Sequence, residues 1–378
     1  MIIVSGAIGR ACIGGKAWVY MQYLLGLQRL GFDVYYLEDC GEGSWVYNWD
    51  TEQVTTDLEY PAAYVQDCLE PVGLGECWIY RAGDQCLGMP LPVFQDVCRE
   101  ARLLIVLADP VTVWRQEYDM PVQRAFIDVD PGFTQFGLEN GDSLLTDTVT
   151  HCQRHFTVGQ NLGNKDCQIP SAGYEWLKIM PPISLPDWPF ADSGNATDFS
   201  SVMDWRGFHD VEYKGQIYGQ KDREFPRFLE LPRATSQSFS LAQMGGDEAR
   251  LERHGWCVTP GWIPSATPWS YRDYIQDSRA EFGVAKHGYV KSQGGWISDR
   301  SVCYLASGRP VLVQDTGQGN SLPVGEGMLC FGNLSEAEAG VAAINADYEH
   351  HRQVARMLAE RYFDAEKVFP AFLEATLI

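Results

Sequence analysis

The chain has 378 residues, and its 29 basic against 50 acidic side chains leave a formal charge of −21. At roughly 150 residues per domain this length implies about two domains, each able to bury its own core. So acidic a balance excludes a general nucleic-acid binder or a protein drawn to anionic lipid, since both need a basic surface. Twelve Trp and an aromatic share of 12% suit stacking on flat ligands or sugar faces.

Eleven cysteines include no Cys-x-x-Cys pair, so neither a zinc site nor a disulfide framework is expected, and a reduced cytoplasmic protein is the simplest expectation. The chain begins Met1-Ile2-Ile3-Val4 and runs straight into a strand pattern with no charged leader. No apolar run approaches the ~20 residues of a membrane span.

Ile2–Ser5 reads as a buried strand, followed by a loop from Gly6 to Gly15 and a helix over Ala17–Leu30 that Gly31 stops. A second strand starts at Val34 and ends on Glu38 and Asp39. This strand–loop–helix–strand opening predicts the first unit of a doubly wound parallel sheet. Further strands are expected at Leu103–Ala108, Ala125–Asp128 and Phe156–Val158, and the Pro- and Ser-rich stretch Pro181–Ser200 reads as a linker. Beyond it a second α/β pattern begins: strand Phe199–Met203, helix Lys221–Leu229, then strands at Trp256–Val258, Phe282–Ala285 and Val311–Gln314. A helix over Ser298–Ala306 and a helical segment over Ser335–Phe363 complete it. The prediction is an α/β protein of two Rossmann-like doubly wound domains facing a central cleft. They span residues 1–190 and 191–378, with the last helix free to cross back to the first.

The first loop does not carry the G-x-G-x-x-G dinucleotide fingerprint. Glu38 and Asp39 nevertheless end the second strand where a ribose-binding acid would sit, which leaves an NAD oxidoreductase as an alternative. Gly14 and Gly15 suit close approach of a substrate to a helix N-terminus. The stretch Glu281–Gly317 places Lys286, His287, Lys291, Gly294 and Gly295 in a loop before a helix opening at Ser298-Asp299-Arg300-Ser301. Free amides, glycines and cations at a helix start suit a diphosphate, with Ser298 as N-cap and Asp299 on a ribose or sugar hydroxyl. Within Arg279–Pro310 five basic side chains meet only Glu281 and Asp299, a local charge of +3 in an acidic chain. His151 and His155 at i, i+4 would make a zinc pair, but no third ligand has matching spacing. His350 and His351 read as solvated surface. Asp109 ends a strand as a lesser acidic candidate.

Leu305-Ala306-Ser307-Gly308-Arg309-Pro310-Val311 resembles the donor-site helix of GT-B glycosyltransferases, which ends in Ala-x-Gly-x-Pro-Val before a strand. The following Gln314–Gly317 and Gly325-Glu326-Gly327-Met328, and the opening glycine loop with its helix, are similar to that family as well. The resemblance implies transfer of a sugar from a nucleotide-diphosphate donor, held by the second domain, to a small-molecule or natural-product acceptor on the first, with no cofactor and no metal. Lys221 with Arg223 or Arg206 resembles the basic pair that grips the donor diphosphate in retaining members. Lys286, His287 and the amides of Ser298–Ser301 would join them, with Asp315 and Thr316 near the sugar. Cys303 and Tyr304 stand where the family's helix carries a Glu, and Asp299, Arg300 or His287 are the candidates to take its place. Asp128-Val129-Asp130 matches the D-x-D of GT-A enzymes, but at the end of its strand it reads as an acceptor-side group, with Asp128 or Asp130 the candidate general base. A nucleotide-sugar epimerase or hydrolase, or a non-catalytic nucleotide-sugar-binding protein, would use the same donor site.

Overall fold

The computed structural model describes residues 1–107, 111, 113–192, 194 and 196–377. Asp109 and Pro110, the end of the strand expected to reach Ala108, and Asn195 lie outside the described residues.

Eight strands form the first sheet: β1 (Ile2–Ser5), β2 (Val34–Asp39), β5 (Trp78–Ala82), β6 (Gln85–Gly88), β7 (Leu103–Leu107), β8 (Gln123–Asp128), β9 (Arg154–Thr157) and β10 (Leu177–Lys178). The short strands β3 (Val46–Asn48) and β4 (Gln53–Thr55) make a separate hairpin. The sheet order is β10-β9-β8-β7-β1-β2-β5-β6, parallel throughout except for β6 against β5. Its central strands read as unbroken apolar runs because helices cover both faces. Ile2, Val4 and Ile105 pack against Trp18, Met21 and Leu24 of the helix Gly14–Arg29, while Ile3, Leu104 and Val106 face Phe94 and Val97.

The second sheet comprises β11 (Phe199–Asp204), β14 (Phe239–Met244), β15 (Cys257–Pro260), β16 (Ala280–Gly283), β17 (Val311–Gln314) and β18 (Met328–Phe331). A hairpin of β12 (Val211–Tyr213) and β13 (Gln216–Tyr218) stands apart. Its order, β15-β14-β11-β16-β17-β18, is fully parallel. The helix expected over Lys221–Leu229 does not form. Two 3₁₀ turns, Lys221–Arg223 and Phe225–Phe228, stand in its place, because Pro226 lacks the N–H that a continuous helix needs. The segment after Ser335 also divides: helices Leu334–Ala346 and Tyr348–Leu358 meet at Asp347, followed by a π turn over Ala359–Phe363.

The final helix, Ala365–Leu377, packs on the first sheet's layer, with Phe369 5.5 Å from Tyr23 and Phe372 4.7 Å from Phe156 between ring centroids. Gly26 permits the approach, since a Cβ there would lie 2.5 Å from Phe369 and 2.6 Å from Ala365. Gly26→Val therefore overpacks this seam and lowers unfolding stability by about 1–3 kcal/mol, read from the urea midpoint. An unchanged midpoint would mean that the helix does not dock there.

Candidate functional site

The carboxyl ends of the two sheets face each other across a cavity of about 330 Å³, the edge where α/β folds place their ligands. Glycines set how closely the domains meet. The Gly14 amide donates to Ser265 O at 2.6 Å, and a Cβ on Gly14 would stand 2.1 Å from Thr267 O. Gly15, which lines the cavity, rests against the Tyr271 ring. Trp18 Nε1 donates to Pro268 O at 2.6 Å beside them. Gly14 is thus occupied by the domain seam and not open to a ligand. The Gly294-Gly295 pair also joins segments at close range. Gly295 adopts φ +72° with its amide on Thr316 O, and Asn161 lies 2.9 Å from where its Cβ would be.

The cationic wall comes from the second domain. Lys221 lines the cavity at 7% exposure. Burial, reinforced by the nearby Arg300 and Lys286, pushes its pKa down to about 7. Lys286 follows β16 and reaches across to Asp130 of the first domain at 2.9 Å, with its ammonium 3.7 Å from the Phe208 ring centroid. Arg300 pairs with the wholly buried Glu281 through Nε at 2.7 Å and Nη2 at 2.6 Å, and donates to Val202 O at 3.1 Å. Lys16, in the first turn of the helix Gly14–Arg29, brings a further cation to the same cavity, one that sequence reasoning missed.

The helix Asp299–Ala306 opens on this cavity through Ser298, Asp299 and Arg300. The Ser298 side chain makes no capping bond to the helix, contrary to expectation. That leaves first-turn amides, and the positive end of the helix dipole, directed at the cavity. Burial, then the charge of Asp130, raises Asp299 to about 6. Ser301 sits behind the wall; its buried hydroxyl has no partner among the described residues.

The two aspartates after β8 diverge. Asp128 is fully buried and accepts hydrogen bonds from Thr134 Oγ1 at 2.6 Å, Thr157 Oγ1 at 2.7 Å and Gln135 Nε2 at 2.9 Å. It fastens three elements together and does not line the cavity, which corrects the expectation of a general base at that position. Asp130 does line it. Burial alone would raise the Asp130 carboxyl, but Lys286 and the Tyr289 hydroxyl, which donates to it, hold it below the usual carboxylate range.

Other expected ligands lie elsewhere. Arg223 points to solvent and pairs with Asp210 at 2.7 Å. His287 accepts the Gly219 amide on Nδ1 at 3.1 Å, and burial lowers its pKa, so it is a neutral loop fastener and not a cation. Thr316 Oγ1 donates to Trp296 O at 2.6 Å, and the exposed Asp315 accepts the Gly317 amide at 2.8 Å. Glu38 is saturated by the amides of Gly9 and Arg10 and by Tyr36 OH, while Asp39 is held by Arg115, Tyr118 and the Gly41 amide. Neither acid is open to a ribose. His155 belongs to β9, not to a helix, and bonds Val149 O, whereas His151 stacks on Trp114. His351 is buried and accepts the Gly327 amide; only His350 is exposed.

Removing the Glu281 carboxylate strands Arg300 in the interior. Glu281→Ala is expected to cost about 3–5 kcal/mol, and the double change Glu281→Met with Arg300→Met to recover most of it. Denaturant unfolding of the two variants decides this, and a Glu281→Ala protein as stable as the parent would refute the pairing.

No family model matches the sequence, and no curated protein matches it. Among solved structures the chain is similar to an alpha-glucosyltransferase in complex with UDP, at 10% identity and TM-score 0.58, covering 99% of this chain and 98% of that one. It is similar also to a sucrose-phosphate synthase from Thermosynechococcus elongatus, at 11% identity and TM-score 0.53, with 99% and 98% covered. A third is AviGT4, a glycosyltransferase involved in avilamycin A biosynthesis, at 14% identity and TM-score 0.53, with 99% and 96% covered. Whole-chain likeness to such structures, two facing Rossmann-like domains closed by a returning C-terminal helix, shows that this chain has the GT-B fold.

Proposed function

We propose that the protein transfers a glycosyl group from a nucleoside-diphosphate sugar to an acceptor entering from the first domain's side of the cleft. One observation carries the reading: in a chain of net charge −21, Lys16, Lys221, Lys286 and Arg300 converge with an uncapped helix N-terminus on one cavity. A diphosphate gains negative charge as it departs, so fixed cations and amides there stabilise the transition state more than the ground state. Lys221 and the amides of Ser298 to Arg300 hold the diphosphate in this reading. Lys286 exchanges its contact with Asp130 for the ligand, and Asp299 takes a hydroxyl. Asp130, once Lys286 turns away, is the carboxylate facing the acceptor. The scheme takes its counter-charge from side chains and the helix dipole and uses no metal or cofactor. UDP in the alpha-glucosyltransferase structure supports a uridine donor as the first to try.

Lys221 gives the reading a pH signature. Its ammonium is present below about 7, and a bound anion favours that form. UDP binding therefore takes up a proton above pH 7 and weakens by up to about tenfold per pH unit there. Calorimetric titration of UDP between pH 6 and 9 is expected to show this slope in the parent protein. In Lys221→Met the slope is absent and the affinity at pH 6 is lower. A flat profile in the parent, or an unchanged one in the variant, would remove Lys221 from the site.

A further inference from the structure

The β3–β4 hairpin carries an aromatic face that the donor site does not use. Tyr47 stands on β3 on the side opposite the buried Val46, with Trp45 before the strand exposed and Trp49 in the turn after it half-buried. Val54 stands opposite Tyr47 in register. Trp45, Tyr47 and Val54 are 76%, 40% and 63% exposed, a contiguous apolar patch of the kind that marks a binding surface. The row is continuous with the cleft. Tyr47 meets Trp49 at 4.7 Å, and Trp49 stacks at 6.4 Å and 18° on Trp262 of the second domain. Gly261, next to Trp262, lies against Met244, which with Ser265 lines the cavity.

Charge narrows what this rim accepts. Glu42, Asp50, Glu52, Asp57 and Glu59, on and beside the hairpin, are exposed, and the sequence between Arg29 and Arg81 holds no Lys, Arg or His. Nucleic acid, anionic lipid and acidic glycans are all repelled by such a surface. A hydroxylated sugar ring suits it instead, because its C–H face lies on an indole while edge hydroxyls reach exposed Asp50, Glu52 and Gln53. At roughly 3.3 Å per extended residue, Trp45 and Trp49 stand at most about 13 Å apart, room for more than a single ring.

We infer that the acceptor is an uncharged oligosaccharide, its reacting end at the Trp49–Trp262 lip and its further rings along Tyr47 and Trp45. The inference rests on the glycosyl-transfer reading above and adds the class of its acceptor.

Tryptophan-fluorescence titrations of the full chain test it with maltotriose, cellotriose and mannotriose, each against its monosaccharide, with UDP titrated in parallel. At least one trisaccharide is expected to bind about tenfold more tightly than its monosaccharide. Trp45→Ala should abolish that tenfold advantage, which corresponds to about 1.4 kcal/mol, while leaving monosaccharide and UDP binding unchanged. The inference is overturned if UDP binds and no trisaccharide does, or if Trp45→Ala and Trp262→Ala bind the trisaccharides like the parent. It is overturned equally if the rim instead takes up a single-stranded oligonucleotide or phosphatidylcholine vesicles. Loss of UDP binding with saccharide binding intact would sink the transfer reading and leave the rim as a sugar site.

Discussion

Everything in the cleft depends on keeping like charges close together in a poorly hydrated space. Lys221 from a 3₁₀ turn, Lys286 from the loop after β16 and Arg300 from the first turn of the helix Asp299–Ala306 line one cavity, and each ammonium or guanidinium there disfavours the next. The protein offsets this unevenly. Arg300 is locked by Glu281; Lys286 is balanced by a carboxylate of the opposite domain; Lys221 holds its proton loosely chiefly because it is buried, with Arg300 and Lys286 adding to the effect and Asp204 and Glu281 opposing it. In the proposed reading a donor diphosphate completes this wall.

Asp128 and Asp130 show how two positions along one chain separate frame from function. The first lies at the end of β8, inside the fold, where threonine hydroxyls and a glutamine amide satisfy its oxygens. The second has left the strand and stands in the cavity, where Lys286 and Tyr289 hold its carboxylate. Lys286, from the second domain, reaches Asp130 of the first, and in the proposed reading binding of the donor diphosphate and release of Asp130 are one event. The domains are thereby coupled through the site itself, in addition to the glycine seam at Gly14 and the returning helix at Gly26.

Much of this architecture was legible in the sequence because it rests on local rules. β1, β17 and the helix Gly14–Arg29 follow from apolar runs bounded by glycines, and the helix at Asp299 from its place between a loop and the Gly-Arg-Pro stop. Lys286, Asp299 and Arg300 come from the loop and helix start read by the same rules and Lys221 from the family resemblance, and the four line one cavity. What could not be read depends on partners far away in the chain. Gly14 looks like a ligand-binding glycine until Thr267 arrives against it, and His287 looks cationic until the Gly219 amide claims its ring nitrogen. Arg223 and Asp128 likewise reveal their roles only through Asp210 and Thr157. Two misses were local. Pro226 was sufficient to forbid a helix over Lys221–Leu229, and Lys16 directly follows the glycine pair Gly14-Gly15. The alternation Trp45, Tyr47, Trp49 was also visible in the sequence, but its meaning needed Trp262 beside it.

The most direct test of the account is a crystal structure of the protein with UDP. The account predicts a diphosphate against the Lys221 ammonium and the amides that open the helix Asp299–Ala306, with Lys286 drawn off Asp130 toward the phosphates. UDP seated away from that helix, or bound there with the Lys286–Asp130 contact intact and Lys221 out of reach, would contradict it.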